Sequence, residues 1–204
     1  MNRYEIHAVG LGGMGVIQLS KLITKAAVNY QDLIAVQTEA YSAQARGGSC
    51  WADVVVELDK VEKMIDYPKA LSPYDFVFVL SEEAAGSVKK GDIKDTGWVL
   101  WDSSIINKFR AAAKLPSLAI PAQEMAIKEF GESVIGSSIL FGAFCSLSGI
   151  LSKDAALKTL DASVPKKSAE QNRKAFEKGW ELGEKRKAEP RIAEKPEKAE
   201  KEKK

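Results

Sequence analysis

The residues best placed to do chemistry begin at Gly10. Gly10-Leu11-Gly12-Gly13-Met14-Gly15 carries the G-x-G-x-x-G spacing. It follows a β-rich segment and opens a helical one, the context that gives such a motif meaning. Glycine allows a tight turn and lets another group approach the bare backbone. The N–H groups that open the helix can hold an anion. Two readings stand side by side: a nucleotide or phosphate site, and a tight turn packed against a neighbouring chain. A dinucleotide fold also expects an acid at the end of the second strand. Here Val36 is followed by Gln37, Thr38 and Glu39, so the nearest acid arrives late.

The second segment runs from Glu39 to Ser49. Arg46 offers a planar fork of donors suited to a phosphate or carboxylate. Gly47 and Gly48 leave the adjacent backbone bare, and Tyr41 adds a ring face and a hydroxyl. In an open α/β sheet, ligands bind outside the carboxyl ends of the strands, which places this loop and the glycine turn at one rim. Arg46 then either meets a ligand or subunit, or pairs with Glu39 to fix the loop.

Other chemistries lack their residues. The single histidine, His7, lies inside the first strand and is not read as a catalytic base. There is no nucleophile elbow and no Walker lysine. The two cysteines, Cys50 and Cys145, form no CxxC pair, which leaves no basis for a cysteine-ligated cluster or zinc site. They read as free thiols in a reducing compartment. No run of 18 apolar residues suggests a membrane span. The amino terminus reads as a short strand rather than a signal peptide, so the expected location is the cytoplasm.

The elements that must position these residues follow from hydrophobic period. Strands are expected at Tyr4 to Val9, Leu33 to Gln37, Cys50 to Leu58, Phe76 to Leu80, Trp98 to Trp101 and Ser117 to Ile120. The stretch from Thr38 to Ser49 reads as a loop. Helices are expected at Gly15 to Val28, behind Ser81, at Ala122 to Phe130, at Ser133 to Ser148, at Lys153 to Leu160 and at Ser168 to Gly183. A short helical segment is expected at Val61 to Ile65. The helix from Ser133 is apolar nearly all round, which marks it as core or interface. Strands alternating with helices predict an open, largely parallel, Rossmann-like α/β sheet with helices on both faces, then a helical C-terminal region.

The chain has 204 residues, 45% of them hydrophobic, enough for one domain with a sizeable core. From Lys166 onward there are 14 Lys+Arg against 9 Asp+Glu, a net +5 that leaves −3 on the body, given the total of +2. Residues 185–204 are nearly all charged or small and are expected to be disordered. No aromatic residues are interleaved with the tail lysines, which excludes nucleic acid as the expected partner.

Taken together, the glycine turn, the Ala45-Arg46-Gly47-Gly48 core of the loop and the Val54-Val55-Val56 strand resemble the gamma subunit of 2-oxoacid:ferredoxin (acceptor) oxidoreductases. Ile120-Pro121-Ala122, Phe141-Gly142-Ala143 and the Asn172 to Gly179 element resemble later motifs of that family. The resemblance covers residues 3 to 183. Two departures stand out. Met14 replaces the usual Gln, and the Tyr41-Ser42-Ala43-Gln44-Ala45 stretch replaces a Tyr-Gly-Pro-Glu-Ala form.

The resemblance implies a gamma-type domain over residues 1–184 within a larger complex. That complex oxidatively decarboxylates a 2-oxoacid with coenzyme A, giving an acyl-CoA, CO2 and reduced ferredoxin or another acceptor. Thiamine diphosphate with Mg2+ would sit between alpha and beta subunits. [4Fe-4S] clusters would belong to the beta and ferredoxin-like subunits, and this chain alone would bind no cofactor. The residues read here as facing a phosphate of coenzyme A, or a neighbouring subunit's carboxylate, are Gly10, Gly12, Gly13, Met14, Gly15, Tyr41, Arg46, Gly47 and Gly48. The alternatives left by the residues themselves are an NAD(P)-dependent reductase and a non-catalytic nucleotide-binding module.

Overall fold

The computed structural model describes residues 2–43, 48–62, 64–107, 109 and 115–190. Six strands form one sheet: β1 (Arg3–Leu11), β2 (Ile34–Tyr41), β3 (Ser49–Glu57), β4 (Tyr74–Val79), β5 (Ile93–Asp102) and β6 (Ser117–Ile120). Their order is β2-β3-β1-β4-β5-β6. β3 runs antiparallel to both of its neighbours, while β1, β4, β5 and β6 are parallel. Because β3 reverses between β1 and β2, β2 points the same way as β1. The sheet is therefore largely parallel, as expected. The carboxyl ends of five strands and the amino end of β3 share one rim.

Helices α1 (Val16–Gln31), α3 (Ala122–Phe130), α4 (Gly136–Ser148), α5 (Lys153–Ser163) and α6 (Ala169–Lys187) cover one face; α2 (Glu82–Ser87) lies on the other. The main core joins Ile6, Val54, Phe76 and Phe78 of the sheet to Leu19 and Ile23 of α1 and Phe144 of α4. The Phe76 and Phe144 rings meet edge to face at 4.8 Å. A smaller core on the second face joins Val77, Val79 and Val99 to Ala85 and Val88. Val54 and Val56 of the unbroken apolar run pack into the main core, and Val55 between them is likewise fully buried.

The all-round apolar helix proves to be core. α4 is clasped between the sheet and α6, and the two helices meet at glycines. A Cβ on Gly142 would lie 2.1 Å from Phe176 O, and one on Gly179 would lie 1.8 Å from Ile139 O. Ser152 caps α5 as its position suggests, its Oγ accepting from Ala155 N at 3.2 Å.

Several boundaries differ from the sequence reading: β5 begins at Ile93 and not Trp98, α1 runs to Gln31 and α5 to Ser163, and three further differences have a plain physical reason. Thr38 to Tyr41 belong to β2, not to a loop, because each residue has a partner on β3 from Asp53 to Cys50. Ladder pairing supplies what the irregular side-chain order conceals. Val61 to Ile65 is not a helix among its described residues. Instead Asp59 turns the chain, its Oδ1 accepting from Val61 N and its carbonyl from Glu62 N. α6 continues through Lys185 to Lys187, past the expected start of the tail. Arg186 anchors that end by donating from Nε to Ser117 O and by lying 5.2 Å from the Trp98 ring centroid. Residues 191–204 of the expected tail lie outside the described residues.

Candidate functional site

The rim is built from the glycine turn outward. A Cβ on Gly10 would lie 2.9 Å from Val16 Cγ2 and 3.1 Å from Leu80 Cβ, so only a hydrogen there lets α1 fold back beside β4. Gly13 and Gly15 take φ of 91° and 86°, the left-handed region that side chains resist. Gly12 N donates to Gly48 O at 3.1 Å. That bond ties the turn to the loop between β2 and β3, where Ser42 N donates to Ser49 O at 2.8 Å. The two segments singled out by sequence thus touch. Arg46 and Gly47 lie outside the described residues.

α1 opens at Gly15 with no side-chain cap and no acid in its first turn. α4 opens at Ile135 and Gly136 with the same two lacks. The two openings abut, since a Cβ on Gly15 would lie 2.5 Å from Ser137 Oγ. The first N–H groups of a helix have no partner within it, and their summed dipole favours negative charge nearby. The N–H groups of α1 and the dipoles of both helices meet here and make an electropositive corner without requiring a basic side chain.

A cavity of about 950 Å³ lies against this corner, lined also by Tyr41, Cys50, Asp102, Lys167 and Asn172. Two acids, Asp102 and Glu132, line it, and Asp102 is already spent. Asp102 accepts from Ala122 N and Gln123 N at 3.1 Å each, and from Ser104 N and Oγ at 2.9 and 2.5 Å. Asp102 therefore caps α3 and not α1 or α4; α4 is led in by a turn at Ser133–Ile135, in which Gly136 N already donates to Ser133 O. Asn172 is locked as well, accepting from Ser138 Oγ at 2.6 Å and donating to Ser168 O at 2.9 Å. Cys50 is buried, and burial pushes its thiol above the usual value, away from a thiolate nucleophile.

The expected residues separate by role. Gly12, Gly13, Met14 and Gly15 line the cavity, and Gly48 holds Gly12. Met14 lies half-buried against the main core, so its thioether packs and leaves hydrogen bonding to the backbone. Gly10 works in packing. Tyr41 is 61% exposed and donates to Glu39 Oε2 at 2.8 Å. That hydrogen bond, above all, holds the Glu39 carboxyl below its usual range, with Lys21 and Gln37 assisting. Glu39 also lies on β2, separated from β1 by β3. It is two strands from the glycine turn and already engaged, which removes the acid that an NAD ribose requires. Sequence reasoning missed the roles of Ser137 and Asp102. Asp102 ends a strand, as Ser81 ends another before a helix, and that position was the available signal for its cap.

The family model for pyruvate ferredoxin/flavodoxin oxidoreductase matches residues 5–182. The chain is 34% identical over 185 residues to 2-oxoglutarate synthase subunit KorC of Methanocaldococcus jannaschii, covering 88% of this chain and 94% of the relative. It superposes with a TM-score of 0.72 and 29% identity on the gamma subunit of a keto/oxoacid ferredoxin oxidoreductase from Geobacter sulfurreducens, covering 88% of this chain and 98% of the other. The 2-oxoglutarate:ferredoxin oxidoreductase of Magnetococcus marinus, solved with 2-oxoglutarate, coenzyme A and succinyl-CoA bound, shares the fold at a TM-score of 0.76 and 20% identity. There the match covers 94% of this chain but 32% of the longer one.

Proposed function

Since the chain belongs to the pyruvate ferredoxin/flavodoxin oxidoreductase family, we propose that it serves as the gamma-type subunit of a 2-oxoacid oxidoreductase complex and forms one wall of its coenzyme A entrance. The complex converts a 2-oxoacid and coenzyme A to acyl-CoA and CO2, passing electrons to ferredoxin or another acceptor. 2-Oxoglutarate, named for the Methanocaldococcus relative, is the first acid to test.

One observation carries the role at the entrance: two helix openings with no side-chain cap and no acid in their first turns meet at a cavity of about 950 Å³ on the carboxyl rim. A phosphate of coenzyme A answers those N–H groups, and Arg46 on the adjoining loop adds a bidentate partner.

Partner subunits supply the rest. Alpha and beta chains hold thiamine diphosphate and Mg2+, and thiamine diphosphate provides the electron sink for decarboxylation. The donor set here does not fit a [4Fe-4S] cluster, which takes four thiolates. This chain has two cysteines, both buried, and burial pushes the Cys145 thiol well above its usual value. Clusters therefore belong to the beta and ferredoxin-like subunits. No helix among the described residues is long and apolar enough to cross a membrane, and the assembly is proposed to work in the cytoplasm.

Replacing Arg46 by Ala tests the role at the entrance. In the assembled complex the KM for coenzyme A should rise about tenfold, the order expected for one lost charged hydrogen bond. An unchanged KM in an intact complex contradicts the reading.

A further inference from the structure

A second cavity, of about 340 Å³, opens on the other face of the sheet. Its floor is His7 and Val9 of β1. Trp51 of β3 forms one wall, and Glu83, Ala84 and Ser87 of α2 form the other. The register explains the grouping. His7 lies opposite Asp53 and Val9 opposite Trp51, and residues two apart on a strand share a face.

His7 is held from two sides. Its Nδ1 lies 2.6 Å from Asp53 Oδ1, and its ring stacks on Tyr74 at 4.7 Å and 8°. Asp53 is 2% exposed. A carboxylate only accepts, so Nδ1 carries the hydrogen, and in the neutral ring Nε2 keeps its lone pair. Among the described residues Nε2 has no hydrogen-bond partner. A buried carboxylate is costly unless it is paired, and two apolar residues would fill these positions at lower cost. His7 instead lines a cavity with Asp53 buried behind it, as a group that orients a ligand would be.

The wall supplies the rest of the recognition. Trp51 is 38% exposed, a large half-open indole beside the cavity. Glu83 is exposed at the rim and adds an acceptor. Neither basic residue type lines the cavity, so it is unsuited to a phosphate. An aromatic face with acceptors at floor and rim suits a flat ring bearing N–H donors.

We propose that this cleft binds a planar heteroaromatic base carrying an amino group, of the adenine type. The base would lie against the Trp51 ring and donate to His7 Nε2. The proposal rests on this cavity alone and is independent of the coenzyme A entrance.

The single histidine makes the test direct. The full chain, labelled with 15N in histidine, is titrated with adenosine and, separately, with ribose and inorganic phosphate. Adenosine should move the Nε2 resonance saturably, and the other two should leave it in place. Trp51→Ala, at a half-exposed position, should weaken adenosine binding about tenfold while circular dichroism stays unchanged. An unmoved resonance, an equal response to ribose or phosphate, or full affinity in folded Trp51→Ala would each overturn the proposal.

Discussion

Gly13 and Gly15 share a left-handed backbone but not a neighbourhood. Nothing lies within 4 Å of a Cβ built on Gly13, whereas one on Gly15 would meet Ser137 Oγ at 2.5 Å. Gly13→Ala should cost only the left-handed penalty, about 1–2 kcal/mol. Gly15→Ala should cost more in urea denaturation, because the openings of α1 and α4 must also part. Equal losses would mean that the two helix ends do not abut.

Glu5 provides a test by pH. Burial raises its carboxyl above the ordinary 4.5, outweighing the Leu71 N–H bond and the charges of Arg3 and Lys94. A raised folded value means that the native state binds the proton more tightly than the unfolded chain does. The cost of keeping Glu5 charged is thus fully present above the folded value and vanishes below the unfolded one. Glu5→Gln should gain stability over the natural chain at neutral pH. That advantage should shrink as pH falls through the raised value and below 4.5. An advantage that grows on acidification contradicts this account.

At this scale the spacing of Gly10 to Gly15 was legible because glycine is demanded by a turn, a local property. The His7–Asp53 pair was not, since it depends on the register between two strands 46 positions apart.

The α4–α6 crossing is the tightest fit between elements. Gly179→Ala would drive a Cβ into Ile139 O, and Gly142→Ala would drive one into Phe176 O. Either change should cost about 1–3 kcal/mol or more by forcing the helices apart. Gly86→Ala, with nothing within 4 Å of its Cβ, serves as the matched control. Guanidinium melts of the three variants distinguish crossing strain from general loss of glycine.

α3 was readable to both ends, spanning Ala122–Phe130 as expected, whereas α1 runs three residues past its expected end, to Gln31. β2 was cut short because the polar alternation of Gln37, Glu39 and Tyr41 conceals a strand. In the structure these three side chains bond to one another along one face. The end of α6 was missed because Lys185 to Lys187 look like tail, while Arg186 reaches back to Trp98 and Ser117.

For the whole molecule, the sheet collects its bare-backbone segments at one rim. α/β class and helical C-terminal region were legible from the alternation of periods. The reversal of β3 was not, because residue pattern does not state strand direction. That reversal matters, since it brings the loop before β3 against the glycine turn and keeps Glu39 away from it. A corner polarised by two helix openings results, where Asp102 and Glu39 are already engaged and Glu132 lines the same cavity. Its meaning depends on the assembly, where coenzyme A and the reacting groups meet.

Gly13→Asp compared with Gly13→Asn tests this most directly. Both side chains enter the same open space with the same backbone strain, and they differ by one negative charge at the helix openings. In the assembled 2-oxoacid oxidoreductase complex, the KM for coenzyme A should be at least about fivefold higher with Asp than with Asn. Equal KM values in two intact complexes would contradict a coenzyme A phosphate at this corner.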